Sequence, residues 1–164
     1  MATGLPQKTA LEIAKINVAK REYQKLYMDY WNSTSELTGT GRPVDAVICP
    51  AAPHAAVIPT QYSHVGYTSV INVLDYTSVV IPVTHADKSV DVNVSREFLG
   101  ELDENSYKNC ERIQARFRDA ITDSAVDDAD VYDGAPAGVQ MFGRRLQEEK
   151  MLVLAEYVGS VVKK

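Results

Sequence analysis

The chain has 164 residues, one ordinary domain's worth and enough to bury a sizeable core. Apolar residues make up 45% and charged residues 24%, which excludes intrinsic disorder, collagen-like repeats and small disulfide scaffolds. Seventeen basic against twenty-two acidic side chains leave a net charge of −5, with no basic excess to attract nucleic acid or an anionic membrane.

The spacing predicts a long helix over residues 8–31. Leu11, Ala14 and Val18 recur at helical intervals, Tyr23, Leu26, Tyr27 and Tyr30 continue the apolar side, and no Gly or Pro interrupts them. Thr9 with Glu12 has the form of a capping box. The helix should stop near Asn32-Ser33-Thr34, ahead of the Gly39–Pro43 turn. Val44–Cys49, bounded by Pro43 and Pro50, reads as a strand buried on both faces. Pro50, Pro53 and Pro59 rule out regular structure in the stretch that follows.

Gly66–Tyr76 has helical spacing at Val70, Ile71 and Leu74, and Ser78–Val83 reads as a second buried strand, ending at Pro82. Residues 84–106 are polar and irregular. A third amphipathic helix is expected over Tyr107–Ile121, with Cys110, Ile113, Phe117 and Ile121 on one face. Residues 101–134 carry ten acidic against four basic side chains, so Asp123–Gly134 reads as a solvated acidic loop. Ala137–Phe142 is a third strand, and residues 145–162 a last helix with Met151, Leu154, Val158, Val161 and Val162 as its stripe. Alternating helices and strands make the fold class α/β, with a partial mixed β-sheet flanked by helices. Three short two-sided strands need cover above, below and at each edge. The chain reads as one side of a larger sheet.

The N-terminal residues lack the basic start and apolar run of a signal peptide. The apolar stretches fall short of the roughly 20 residues a membrane span needs. Cys49 and Cys110 read as two unpaired thiols. Cytosolic residence is the expectation. His54, His64 and His85 have no helical ligand spacing, and no HExxH accompanies them, so neither a metal nor another cofactor is expected. The aspartates after Asp123 fail the EF-hand register, because Asp133 stands where a loop started at Asp128 requires Gly. Neither a nucleophile elbow nor a phosphate-binding glycine loop occurs. Spacing and composition alone therefore identify no self-contained catalytic motif.

Four segments carry a resemblance. They are Asp45-Ala-Val-Ile-Cys-Pro-Ala-Ala-Pro53, Gly66–Tyr76, Val79-Val-Ile-Pro-Val-Thr84 and Asp133-Gly-Ala-Pro-Ala-Gly-Val-Gln-Met-Phe-Gly-Arg-Arg145, the last followed by Glu148-Glu-Lys150. In this order, over about residues 20–160, they resemble the C-terminal part of the amidase signature family. The Trp31-Asn32 helix end and the Leu74-Asp75-Tyr76 turn look like the fungal acetamidase and general amidase branch.

The resemblance implies hydrolysis of carboxylic amides by a Ser nucleophile, a second Ser in a cis peptide and a Lys base. All three lie upstream of the part matched here, so no residue of this sequence takes a catalytic role. The chain is expected to be a single partial domain, inactive by itself. It would act on a small amide only together with an N-terminal portion, and its uncovered sheet edges invite self-association. A non-catalytic remnant or accessory binding domain on the same fold is the alternative. His54, Tyr67 and Asn72 are the substrate-pocket candidates that the resemblance implies. Two departures stand out. Thr77 replaces the family's Pro after Asp75-Tyr76, which should loosen that turn. Residues 107–130 read as an insertion or as retained coding sequence, and the sequence leaves both open.

Overall fold

The computed structural model describes residues 6–53, 64–91, 97–104 and 132–162. The expected helix at 107–121, the proposed insertion at 107–130, Cys110 and most of the acidic loop lie outside these residues. The first element is helix α1 (Ala10–Ser33), opened by the expected capping box: Glu12 N–H donates to Thr9 Oγ1, and Thr9 N–H donates to Glu12 Oε2 at 2.7 Å. A 3-10 turn (Thr34–Glu36) closes it. Strand β1 (Val47–Pro50), helix α2 (Gly66–Leu74), strand β2 (Thr77–His85), strand β3 (Pro136–Gly143) and helix α3 (Glu148–Val162) follow.

The fold is α/β, as the sequence predicts, with the sheet order β1-β3-β2. Both pairings are antiparallel. The mixed sheet expected from the two-sided apolar strands therefore does not occur among the described strands. The reason is local. Ala86 N–H donates to Ala135 O and Gly134 N–H to Ala86 O, both at 2.8 Å, so the chain leaves β2 and returns beside it in reverse.

The strand ends also moved. β1 begins at Val47 rather than Val44, because Val44 has both backbone groups engaged elsewhere. Its N–H donates to Thr34 Oγ1 and its carbonyl accepts from Trp31 Nε1, each at 3.0 Å. β2 runs on through Pro82 with an irregularity before Thr84. As an outer strand among the described residues, it tolerates a residue without an N–H.

Register assigns the faces. Val47, Phe142 and Ser78 share one row, and Cys49, Gln140 and Val80 the next. This face meets α1 and α2 in a core of Trp31, Ile71 and Phe142, with Tyr27, Val47, Cys49 and Tyr76 packed against it. Trp31 lies edge-on to Tyr76 at 5.6 Å and tilted against Phe142 at 6.1 Å. Gln24 Nε2 adds a bond to Val73 O at 2.7 Å, tying α1 to α2.

The opposite face carries Met141, Val139 and Ile81, and α3 covers it. Met151 lies directly over Gly143, where a Cβ would stand 2.7 Å from the methionine methyl. Helices thus cover both faces, as two-sided strands require, but incompletely. Ile48 at the β1 edge and Val80 on β2 remain exposed. So does most of α1's expected stripe: the first half, with Leu11, runs past everything it could pack on among the described residues, and the second half docks through Tyr27 and Trp31, leaving Leu26 and Tyr30 exposed.

Thr77 does more than replace a proline. Its hydroxyl donates to Glu148 Oε1 at 3.1 Å and accepts from Gln147 N–H at 3.4 Å, joining the start of β2 to the start of α3. Two non-glycine residues flank this joint with left-handed backbone. Asp75, at φ 60° and ψ 42°, ends α2 and pairs with Arg145 at 3.0 Å. Leu146, at φ 59°, is 77% exposed, so its side chain returns little for the strain. Leu146→Gly should stabilise the fold by about 0.5–1 kcal/mol, read as a rise of about 1–4 °C in the thermal midpoint.

Candidate functional site

The apolar content that makes β1 and β2 also makes a cleft. Two residues before Gln140 and on the same face of β3, Gly138 pairs with Pro82. A Cβ there would stand 3.1 Å from Ile81 O and 3.3 Å from Val80 Cγ1. The absence of a side chain lets β2 approach β3 closely at this point, and a cavity of about 280 Å³ lies beside the pair. Val80 and Pro82 of β2 form one wall; Pro136, Ala137 and Gly138 of β3 form the floor; Ala51 and Ala52, just past β1, close the end. Among the described residues, none that lines it can ionise. The cleft can hold a small apolar group.

Tyr67 stands in the first turn of α2. Its ring meets His64 edge-on at 5.6 Å, and its carbonyl accepts from Gln140 Nε2 at 3.0 Å. Gln140 pairs across the ladder with Val80, which lines the cleft, so Tyr67 is tied to the row bordering it. Asn72 lies on the exposed side of α2, about 140° around the helix from Tyr67 by the helical repeat. Neither Tyr67 nor Asn72 lines the cleft. His54 lies outside the described residues. Among the described residues, no three His, Cys, Asp or Glu side chains gather into a metal site.

Sequence reasoning passed over Gln140, which is 3% exposed and the buried polar residue of the core. Its signal was available: one amide within the apolar run Val139–Phe142. A polar side chain in a buried strand has a partner, and here it has two, Tyr67 O and Cys49 Sγ. The charged groups lie apart from the cleft. Asp45, the first residue of the first quoted motif, meets Lys150 at 2.5 Å. That hydrogen bond and the ammonium charge hold the Asp45 carboxyl below its usual range. The pair is exposed and adds little stability.

Residues 5–152 match the sequence profile of the amidase family. The chain belongs to the amidase family. It is 40% identical over 163 residues to an acetamidase of Aspergillus oryzae, a match covering 99% of this chain and 26% of the relative. It is also 40% identical over 152 residues to an acetamidase of Emericella nidulans, covering 92% and 24%. This amidase-family chain therefore spans about a quarter of the length of the curated relatives it matches. A solved fatty acid amide hydrolase superposes with a TM-score of 0.72 at 17% identity, over 98% of this chain and 25% of the other, a likeness of fold alone. No helix among the described residues is long and apolar enough to cross a membrane.

Proposed function

We propose that this chain supplies the C-terminal portion of an amidase-family hydrolase that cleaves the C–N bond of small carboxylic amides, and that it does not catalyse the reaction by itself. One observation carries the reading. The family match runs through residues 5–152, yet only 24–26% of either acetamidase is covered. The described walls of the cleft are apolar, which fits a place for part of a substrate.

In this reading the cleft receives the apolar part of the amide beside the row bonded to Tyr67, with His54 as a further wall candidate, while Asn72 lies away from that wall. The hydroxyl chemistry and the base come from the portion that this chain does not match. A small amide as substrate and the cytosol as place of action belong to the same proposal, supported by the likeness to the acetamidases.

The test is ammonia release from acetamide and benzamide by the purified chain, alone and mixed with the remaining three-quarters of an acetamidase. No turnover alone and turnover on mixing are expected. Turnover by the chain alone, abolished by a single Ser substitution within it, would sink the reading. A chain that remains inert in both, and stays a well-folded monomer, would favour the non-catalytic accessory domain.

A further inference from the structure

We propose that Gln140 is a positioning residue, whose buried amide fixes the first turn of α2 against β1 and so sets the wall of the apolar cleft; the substrate role of that wall rests on the amidase reading above. Gln140 sits in the middle strand, and its row joins Cys49 on β1 to Val80 on β2. The side chain reaches away from its own strand. Nε2 donates to Tyr67 O at 3.0 Å and to Cys49 Sγ at 3.5 Å, partners 73 and 91 residues distant in the chain. An amide nitrogen has two protons, and these two contacts use both.

A methionine would fill the same space without burying a polar group, so packing alone gives no reason for the amide. What the amide adds is direction. It accepts only an arrangement in which the α2 carbonyl and the β1 sulfur both face it. The consequences run to the cleft. Tyr67 and its His64 neighbour are carried by the turn that Gln140 holds. Val80, across from Gln140, is a wall residue of the cleft, which the row packs closely against Gly138.

The experiment compares the 164-residue chain with Gln140→Met, both in a Cys110→Ser background so that Cys49 is the thiol read. Gln140→Met should keep the far-UV circular dichroism and cooperative melt, because volume is conserved. Yet Cys49 should react with N-ethylmaleimide about fivefold more slowly, because the attacking sulfur loses its N–H donor and one ordinary hydrogen bond is worth about that ratio. The His64–Tyr67 ring cross-peaks in NMR should weaken as the α2 turn loosens. A residue that merely packs would give wild-type labelling and cross-peaks, and that outcome overturns the proposal. Should Gln140→Met fail to fold, the unsubstituted chain decides: slow solvent exchange of both Gln140 side-chain protons supports the two bonds, and fast exchange overturns them. Acetamide titrated against the Ala51, Ala52 and Ala137 methyl resonances separates the two readings. If labelling responds to Gln140→Met while acetamide shifts nothing in the unsubstituted chain, the positioning role stands and the substrate reading of the cleft falls.

Discussion

Alanine at Trp31 should destabilise the fold by about 3–5 kcal/mol, the range for removing a large aromatic from a packed core. The side chain is 2% exposed and occupies the one place where α1, α2 and β3 meet. It touches Tyr76 and Phe142 at ring distances of 5.6 and 6.1 Å, and Tyr27 packs on the same Tyr76 at 5.8 Å. Truncation thus strands three other rings. It also leaves the Val44 carbonyl without its indole donor, although that group lies near enough to solvent to recover part of the loss. Trp31→Phe separates the contributions: it keeps most of the ring and gives up the bond, so about 1–2 kcal/mol is expected. Urea unfolding followed by circular dichroism measures both. Midpoints that fall in this order at a constant slope confirm the assignment. A Trp31→Ala midpoint within error of the parent would show that α1 is not docked through its last turn.

Met151→Ala should cost about 2–5 kcal/mol through the opposite face of the sheet. Met151 is 1% exposed and rests on the backbone of Gly143, which leaves it the space that a side chain would fill. This contact anchors the start of α3, because Met151 N–H also donates to Gln147 O at 2.9 Å in the first turn. Met151→Leu, nearly equal in volume, should cost less than about 1.5 kcal/mol. The sharper check is a double-mutant cycle. Gly143→Ala alone forces a clash with the methionine tip, but in the Met151→Ala background its methyl enters the vacated space. The pair should therefore be less destabilised than the sum of the single changes. Strict additivity would mean that α3 does not lie over Gly143.

Much of this molecule was legible before any coordinates. Thr9 and Glu12 announce the start of α1, and the short apolar runs after Pro43, around Val80 and around Gln140 announce three strands. Such local signals survive because each depends on a few neighbouring residues: a capping hydroxyl, an apolar alternation, a proline that cannot donate. The strand ends were less legible. Val44 looks like any strand residue until Thr34 and Trp31, ten and thirteen residues away, claim its N–H and carbonyl. Pro82 reads as a stop, and is one only where both edges of a strand are paired. Of the candidate site, Tyr67 is legible only as a residue of α2, while its bond to Gln140 spans 73 residues, and Gly138 reads as a simple strand glycine until Ile81 O and Val80 close on it.

The sequence by itself determined the types and order of the described elements, the α/β class and the likeness to amidases, because hydrophobic period, caps and turn residues act over a few positions. Only the tertiary structure decided that the described strands run antiparallel, that α1 and α2 take one face and α3 the other, and that Gln140 faces both Tyr67 and Cys49. These depend on which distant surfaces meet, and no local period records that. The same reason explains the exposed first half of α1. An apolar stripe says that a helix is made to be covered, but only the fold says which part of it is.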